Sequence, residues 1–298
     1  MSKYGIPYMG SKNTIADKII HVLPPKKRFY DLFCGGGAVS HVALLSDKYQ
    51  EIIINDIDEQ MPKLFIDALN GSLTDTERRI GREEFNEIKD NNALIRIVWS
   101  FGNKGTNYLY GKDIEKYKRA FWQAVFDDDF SAFWELGINI PKVKGKSYKD
   151  KKLKIQSWAK KHADPKYKID KLQSFDAMSR IKGMRLKSSK KSSRLKMHTG
   201  SYDKVEIKDD SIIYCDIPYE NTAEYIAGAF NHRKFYDWAY NQRQLVVISS
   251  YYVSDKRFKR VINFNKNSQL QGGTGEIKKE GLFIADYNIE EWRNYRNV

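Results

Sequence analysis

The chain has 298 residues, of which 41% are hydrophobic and 30% are charged, and this apolar fraction excludes a wholly disordered or fibrous protein. No apolar stretch approaches the roughly 18 residues that a membrane helix needs, and the start, MSKYGIPYMGSK, lacks the apolar segment of a signal peptide. Two cysteines, Cys34 and Cys215, cannot form a disulfide framework or a cysteine-rich zinc site, so we expect a soluble intracellular protein.

The first part of the chain predicts the opening of a parallel α/β sheet. Apolar residues recur at helical spacing over residues 13–23 and stop before Pro24-Pro25. The segment RFYDLF then predicts a buried strand, GGGAVSHVALLS a glycine turn that runs into a helix, and EIIIND a second strand, which a helix over about residues 61–69 follows. This order of strand, turn, helix and strand is typical of an α/β protein.

The pattern changes over residues 71–196, which contain helical stretches at about residues 117–126 and 130–136 and then a lysine-rich segment. Strands resume at SIIYCDIPY and QLVVISSYY, and KRVINFN and GLFIADYNI predict a closing antiparallel pair. We therefore predict a core of residues 1–70 and 197–298 that is interrupted by a mainly helical, basic insert of residues 71–196. Clustered aromatic residues are expected to form the core of this insert: Phe121, Trp122, Phe126, Phe130, Phe133 and Trp134.

Positive charge is concentrated in one segment of the insert. Lys and Arg outnumber Asp and Glu by 14 in the whole chain, and residues 142–196 alone hold 20 Lys and Arg against four acidic residues. Such a segment favours a polyanion as partner, because each neutralised phosphate of a nucleic acid releases condensed counterions. A solvated lysine-rich surface is the alternative, but the segment is internal, and we favour nucleic acid. Aromatic residues that could stack on bases lie between the lysines: Tyr148, Trp158, Tyr167 and Phe175.

A glycine turn, Gly35-Gly36-Gly37, connects the first predicted strand to a helix. Glycines at this place let a ligand approach the backbone closely and open the helix N-terminus towards it; a tight turn between two packed elements is the alternative. The turn is not a P-loop, because no Gly-Lys-Ser/Thr follows. It also lacks the dinucleotide fingerprint, because Ser40 stands where the third glycine should be.

Two carboxylates accompany the glycine turn at the ends of predicted strands. Asp56, 19 residues after Gly37, ends the second strand and can accept both hydroxyls of a ribose; Asp58 lies beyond the strand end and ranks below it. Asp31 ends the first strand, where it could accept a hydrogen bond from an amino group of a cofactor or cap the glycine turn. The pattern predicts a nucleoside cofactor and suits NAD and S-adenosylmethionine equally.

A hydrophobic strand, SIIYC, runs directly into Asp216-Ile217-Pro218-Tyr219. This tetrapeptide resembles the Asp-Pro-Pro-Tyr motif of amino-methylating DNA methyltransferases. The order of cofactor motif, insert and tetrapeptide is similar to that of the Dam-like (D12 class) adenine-N6-specific family, from about residue 8 to about residue 286. Three more segments resemble motifs of that family: Tyr8-Met9-Gly10-Ser11-Lys12, Asn55-Asp56 and Gln271-Gly272-Gly273-Thr274.

The resemblance implies a Rossmann-like S-adenosyl-L-methionine-dependent methyltransferase core, and double-stranded DNA as substrate. Asp216 and the backbone carbonyl of Ile217 are then expected to accept the two N6 hydrogens of adenine, which turns the nitrogen lone pair towards the methyl donor and stabilises the charge that develops on N6. Pro218 shapes the turn, and Tyr219 offers a ring on which the flipped base stacks. The expected cofactor-binding residues are Tyr8, Lys12, Asp31, Phe33, Gly35, Gly37, Asp56 and Asp216.

Several features bear on rival activities. Ile217 departs from the family, which usually has proline there; a backbone contact survives this change, although the turn becomes looser. Methylation of cytosine N4 or of RNA is one rival, and a DNA-binding module that keeps the fold without turnover is another. Asp at the first position of the tetrapeptide favours adenine, and carbon-5 chemistry would need a thiolate after a proline, which neither cysteine provides. No metal is expected, because the histidines show no metal-ligand spacing: His21, His41, His162, His198 and His232.

A polar loop with two glycines, residues 100–108, follows the apolar stretch LIRIVW. In the family a similarly placed region belongs to the target-recognition part. Asn103 and Asn107 are therefore candidates for bidentate contacts to adenine edges, and Lys104 for guanine or phosphate; an ordinary surface turn is the alternative. We expect a monomer in the cytoplasm of a bacterial or phage-infected cell. The sequence does not distinguish whether the enzyme belongs to a restriction-modification system, belongs to a virus or is a solitary regulator.

Overall fold

The computed structural model describes residues 4–74, 78–184, 192–220, 230–264 and 279–296. The strands in these ranges are β1 (Arg28–Asp31), β2 (Glu51–Ile54), β3 (Leu195–Met197), β4 (Ser211–Cys215), β5 (Leu245–Ser250), β6 (Phe258–Phe264) and β7 (Glu280–Ala285). The α-helices are α1 (Ala16–Val22), α2 (Ala38–Leu45), α3 (Gln60–Asn70), α4 (Arg82–Ile88), α5 (Ala93–Val98), α6 (Lys112–Phe126), α7 (Ser131–Glu135), α8 (Tyr148–His162), α9 (Gln173–Lys182), α10 (His232–Tyr240) and α11 (Ile289–Arg296). The segment Gln271-Gly272-Gly273-Thr274 lies outside the described residues.

The strands form one sheet in the order β3-β2-β1-β4-β5-β7-β6. Strands β3, β2, β1, β4 and β5 are mutually parallel, whereas β7 runs antiparallel to β5 and to β6. The predicted closing antiparallel pair is therefore present. From β1 the chain adds β2 and β3 on one side and β4 and β5 on the other, so the strand order reverses between β1 and β4. Ligands of open α/β sheets bind beyond the carboxyl ends of the strands at such a point. The predicted Rossmann-like α/β fold is confirmed.

Burial of the strands explains why most of them could be read from the sequence. All residues of β4 and β5 are buried, and strands that are covered on both faces appear as continuous apolar runs. The three residues of β3 are only partly buried or exposed, so this strand has no apolar signal and was missed. β3 pairs with β2, with Lys196 opposite Ile53. The predicted insert boundary at residue 196 thus falls inside a strand of the sheet.

The chain divides into two compact units. One consists of Met1–Ile6, Gly10–Ser72 and Gly183–Val298, and the other of Pro7–Met9 and Leu73–Lys182. The first unit contains the sheet. The second contains the helices α4 to α9. Within the described ranges, no helix has the length and apolar character that crossing a membrane requires.

Aromatic side chains form much of the core of the second unit. Trp99 and Tyr108 are stacked with ring centroids 6.4 Å apart, and Phe121 and Phe133 are fully buried. Trp134 departs from the prediction, because it is 44% exposed. Its indole N–H donates a 2.9 Å hydrogen bond to the Ile140 carbonyl, and a polar tip of this kind favours the edge of a core.

The aromatic residues of the basic segment also find partners within the second unit. Phe175, which we expected to be available for stacking on bases, is 9% exposed and contacts Phe126 at 5.8 Å between ring centroids. The ring of Tyr148 also lies against Phe126, at 4.6 Å. Phe175 therefore belongs to the core, because burial of an aromatic ring removes a large apolar area from water.

Candidate active site

Three carboxylates follow three neighbouring parallel strands at their carboxyl ends. Asp31 is the last residue of β1 and lies opposite Ile54 of β2 and Tyr214 of β4. Asp56 and Asp216 each stand two residues beyond those partners. The structure therefore brings Asp31, Asp56 and Asp216 to one edge of the sheet, as the motifs predicted.

The turn after β1 has a backbone that favours glycine. Gly35 and Gly37 have φ angles of 46° and 66°. Gly37 precedes the first residue of α2, and a Cβ added there would lie 2.6 Å from the ring of Phe65 on α3. The N-terminal segment runs along the turn, because the Ile6 N–H donates a 2.7 Å hydrogen bond to the Gly36 carbonyl. Gly37 is thus needed for the turn itself and for the close approach of Phe65.

Asp56 connects the glycine turn to the end of β2. Its Oδ2 accepts a 2.7 Å hydrogen bond from the Gly35 N–H, and its Oδ1 accepts one of 3.0 Å from the Asp58 N–H. Burial raises the pKa of the Asp56 carboxyl, although these backbone donors oppose the shift. The neighbouring Asn55 is buried, and its side-chain amide donates to the carbonyls of Leu32 and Gly200 at 3.1 and 3.0 Å. The strand end that carries Asp56 is therefore held by hydrogen bonds on both sides.

Asp31 is a buried carboxylate with one oxygen that lacks a hydrogen-bond partner among the described residues. It is 1% exposed, and the Ser40 hydroxyl donates a 2.6 Å hydrogen bond to its Oδ2. Its Oδ1 has no hydrogen-bond partner among the described residues. Burial raises the pKa of Asp31 to about 7, against the effect of the Ser40 hydrogen bond. A buried acceptor without a partner costs free energy, so Oδ1 is a candidate acceptor for a ligand.

The best-connected group of the site is a buried lysine. Lys12 is 2% exposed and forms an ion pair with Asp216. Its Nζ also donates a 2.7 Å hydrogen bond to the Tyr219 hydroxyl and lies 3.7 Å from Glu280 Oε2. Burial alone would lower the pKa of Lys12, but the Asp216 and Glu280 carboxylates together outweigh it and raise the pKa above its ordinary value. Lys12 is therefore a charged side chain that orients Asp216.

The tetrapeptide after β4 is held from several directions. The Tyr219 ring lies 4.4 Å from the Tyr251 ring. Burial, with the nearby carboxylates of Asp216 and Glu280, raises the pKa of the Tyr219 hydroxyl, which stays protonated. His232 Nε2 donates a 2.7 Å hydrogen bond to the Pro218 carbonyl. The sequence showed only that His232 lacks metal-ligand spacing, because nothing in its local pattern links it to a turn 14 residues earlier.

Ile217 has a structural reason to differ from proline. Its side chain is 2% exposed and belongs to an apolar cluster that also contains Leu32, Cys215 and Phe235. A branched aliphatic side chain fills this position, since protein cores lose stability when buried volume is removed. The isoleucine thus contributes to the core beneath the turn, while its backbone carbonyl remains part of the tetrapeptide.

Phe33 and Tyr8, two of the predicted cofactor-binding residues, do not lie among the carboxylates at the strand ends. Phe33 packs among aromatic side chains, with ring centroids 5.4 Å from Tyr202 and 5.7 Å from both Phe230 and Phe235. Tyr8 is partly buried and lies in the short segment Pro7–Met9, which groups with the second unit. The structure therefore brings Lys12, Asp31, Asp56, Asp216 and Tyr219 towards one edge of the sheet and puts Phe33 in an adjoining apolar cluster.

In the second unit, the predicted recognition loop is tightly folded. The Asn103 backbone has a φ of 54°, and its side-chain amide donates a 2.8 Å hydrogen bond to the Ile97 carbonyl. Lys104 and Asn107 are exposed. The most exposed apolar side chain of the loop is Phe101, at 64%. The loop thus turns the amide of Asn103 inwards, whereas the side chains of Lys104 and Asn107 face solvent.

The lysines of the basic segment differ in how far acidic residues neutralise them. On α8, Lys151 and Lys154 form ion pairs of 2.8 and 3.1 Å with Asp128 and Asp150, and buried Lys152 pairs with Asp176. The remaining lysines of this helix are exposed and form no ion pair within the described part of the chain: Lys149, Lys160 and Lys161. These three supply positive charge that an external anion can use.

A metal centre is not found in the ranges that the structure covers: no group of three or more His, Cys, Asp and Glu side chains is arranged to hold an ion there. Both cysteines are buried thiols. Burial raises the pKa of Cys34 and of Cys215 well above the ordinary value, so neither provides a thiolate.

The chain is similar to a known protein family and to solved structures. The family model of the D12 class N6 adenine-specific DNA methyltransferase matches residues 8–237, more than three quarters of the chain. No curated protein sequence is significantly similar to the chain. Among the solved structures that match, the rRNA methyltransferase aviRa from Streptomyces viridochromogenes has 10% sequence identity, covers 93% of this chain and 86% of its own, and has a TM-score of 0.37. A likeness at this TM-score carries no argument about substrate.

Proposed function

Because the chain belongs to the D12 class of N6 adenine-specific DNA methyltransferases, we propose that it uses S-adenosyl-L-methionine to methylate N6 of an adenine that is flipped out of double-stranded DNA. The resemblance seen in the sequence is confirmed by the family match. Adenine specificity of this family disfavours the rival acceptors, cytosine N4 and RNA. Flipping is required because N6 is otherwise engaged in the base pair.

Residues at the edge of the sheet fit the cofactor. S-adenosyl-L-methionine bound there supplies the methyl group. Asp31 Oδ1, a buried acceptor without a partner in the described structure, would accept a hydrogen bond from an amino group of the cofactor. Asp56 would accept the ribose hydroxyls, and the turn at Gly35 lets the cofactor approach the backbone. This assignment is supported by the arrangement of three carboxylates at adjacent strand ends.

The observation that carries the catalytic proposal is the ion pair between Lys12 and Asp216, beside the Tyr219 hydroxyl. It gives the Asp216 carboxylate a fixed direction before any substrate arrives. Asp216 and the Ile217 carbonyl then accept the two hydrogens of N6, and Tyr219 stacks on the base. N6 gains the methyl group and gives up one proton, which the Asp216 carboxylate accepts before it passes to solvent. Preorganised acceptors of this kind stabilise the charge that develops on N6.

Contacts to DNA are proposed for the second unit. The exposed, unneutralised lysines of α8 would bind backbone phosphates, which supplies affinity without sequence information. Lys104 and Asn107 present their side chains to solvent and are the remaining candidates for base contacts. Asn103 is the weaker candidate, since its amide is already bonded to the Ile97 carbonyl.

We also propose that the protein is a monomer in the cytoplasm of a bacterial or phage-infected cell. Sedimentation of the purified protein with and without duplex DNA would test the oligomeric state.

Mass spectrometry of nucleosides from DNA that is co-expressed with the protein tests the activity. N6-methyladenine is expected; N4-methylcytosine would identify a different acceptor, and no product with parental and Asp216→Ala protein alike would favour a binding module. Asp216→Ala should lower turnover by about 10²–10³-fold, the typical cost of losing one preorganised donor or acceptor. Duplex binding in a gel shift should change far less, because phosphate contacts dominate it. A variant with near-parental turnover would remove Asp216 from catalysis.

A further inference from the structure

Glu280 is a fully buried carboxylate beside the tetrapeptide. It is the first residue of β7 and has no exposed surface. It lies outside residues 8–237, over which the family match extends. The charged form of an acidic side chain is rarely buried without partners, because desolvation of a carboxylate costs several kcal/mol. Interactions of Glu280 with neighbouring groups must therefore offset the free energy of desolvation.

Both carboxylate oxygens of Glu280 have partners around the site. Oε2 accepts a 2.8 Å hydrogen bond from the Tyr219 hydroxyl and lies 3.7 Å from the Lys12 ammonium. Oε1 accepts a 3.0 Å hydrogen bond from the Ser249 hydroxyl on β5. The Ser249 contact fixes the carboxylate relative to the sheet, so that Oε2 has one direction in which to meet Tyr219.

The Tyr219 hydroxyl links Glu280 to Lys12. It donates to Glu280 Oε2 and accepts from Lys12 Nζ, and Tyr251 is a further hydrogen-bond partner of Tyr219. These two contacts set the position of the hydroxyl at the far end of the ring, and the Lys12 ammonium lies 5.0 Å from the ring centroid. Glu280 thereby helps to fix the ring of Tyr219 and the ammonium that orients Asp216.

We propose that Glu280 is a positioning residue for methyl transfer, which acts by fixing the Tyr219 ring and the Lys12 ammonium. The inference rests on the proposed function of Asp216 and Tyr219. It adds a residue that none of the recognised motifs contains, more than 60 positions after Tyr219. Because Glu280 has no exposed surface, it is proposed to act through these two side chains and not by direct contact with the base.

A double-mutant cycle tests whether Glu280 acts through Tyr219. Glu280→Gln keeps the size of the side chain but removes its charge, and Tyr219→Phe removes the hydroxyl that bonds to it. In single-turnover methylation at saturating cofactor, Glu280→Gln should lower the rate by about tenfold, because misplacement by about 1 Å can cost on the order of 10² in rate. In the Tyr219→Phe background the same change should cost clearly less, about threefold, because coupled residues are not additive and only the contact with Lys12 remains to be lost. Multiplicative effects, or a parental rate for Glu280→Gln, would overturn the proposal.

A matched control and a measurement without turnover complete the test. Glu51→Gln makes the same chemical change at a carboxylate that pairs with Lys196 on the far strands of the sheet, and it should leave the rate unchanged. NMR of protein labelled at the tyrosine ζ-carbon, with Tyr219→Phe to assign the signal, should show a shift of Tyr219 in Glu280→Gln and none in Glu51→Gln. An unmoved Tyr219 signal would overturn the role of Glu280. Absence of turnover in the parental protein would instead overturn the proposed function.

Discussion

The Gly35 amide donates a 2.7 Å hydrogen bond to Asp56 Oδ2, so the side chain that follows β2 holds the turn that follows β1. This contact makes Asp56 part of the scaffold of the cofactor site as well as a candidate ligand of the ribose. It also means that the effect of a substitution at Asp56 has two origins, which an experiment must separate.

Asp56→Asn should weaken the binding of S-adenosyl-L-methionine about ten- to a hundredfold. The amide oxygen can still accept from Gly35, but it cannot accept both ribose hydroxyls, and a hydrogen bond to a charged group contributes about 1.5–3 kcal/mol. Calorimetry with the cofactor measures the change. Asp58→Asn, two residues away, is the matched control and should bind normally. Equal affinities for Asp56→Asn and the parental protein would remove Asp56 from the cofactor site.

Lys12→Gln should lower the free energy of unfolding by about 3–5 kcal/mol, because it leaves the buried carboxylate of Glu280 and the partly buried carboxylate of Asp216 without their counter-charge. The same substitution at Lys26, which forms a 3.6 Å ion pair with Glu291 at the surface, should cost about 0–1 kcal/mol. Urea unfolding followed by circular dichroism compares the two variants. Similar midpoints for both would mean that the Lys12 ion pair does not stabilise the fold.

Asp31 predicts a pH dependence of stability without cofactor. Because burial raises its pKa to about 7 in the folded protein, against about 3.9 in an unfolded chain, the folded state binds the proton more tightly. Stability is therefore greatest below about pH 4 for this group and is lost as the pH rises to about 7. Asp31→Asn cannot ionise and should gain stability relative to the parental protein across that interval.

Urea unfolding of both proteins at pH 5 and pH 8 measures the effect. The difference should amount to a few kcal/mol at most, since one pKa unit corresponds to about 1.4 kcal/mol. Asp17→Asn, at an exposed position of α1, controls for the change of side chain. A stability difference between Asp31→Asn and the parental protein that is the same at both pH values would contradict the assignment of a raised pKa to Asp31.

The unneutralised lysines of α8 should bind DNA without regard to sequence. Replacement of Lys149, Lys160 and Lys161 by Glu should weaken binding to every duplex and reduce the slope of log affinity against log salt by about 2.7, at about 0.9 per phosphate contact. The control applies the same charge change to exposed lysines at the amino-terminal edge of the sheet: Lys27, Lys208 and Lys259. An unaltered slope for the α8 variant would show that this helix is only a solvated surface.

Ile217→Pro should separate the role of the backbone from that of the side chain. Methyl transfer per folded molecule should be kept, because the carbonyl remains, while stability should fall by about 1–2 kcal/mol as a buried aliphatic side chain is replaced by a smaller, rigid one. Single-turnover rates and urea midpoints measured on the same preparation distinguish the two effects. A loss of turnover in fully folded protein would mean that the isoleucine has a role in catalysis.

Local patterns in the sequence determined a large part of this protein. Apolar runs predicted β1, β2, β4 and β5, because strands that are buried on both faces must be apolar throughout. The residues just after them, Asp31, Asn55-Asp56 and Asp216, could be placed at one edge because parallel strands end on the same side. The tetrapeptide predicted the chemistry, and the family match bears that prediction out.

Only the tertiary structure decided which distant side chains complete the site. The contacts of Lys12 with Asp216 and of Tyr219 with Glu280 join residues 204 and 61 positions apart. The second contact depends on the place of β7, which begins at Glu280 and lies beside β5 in the sheet. The order of strands depends on how the whole chain packs, so periodicity within a segment cannot reveal it. For the same reason β3, whose side chains are too exposed to leave an apolar pattern, and the inward amide of Asn103 became visible only in the folded protein.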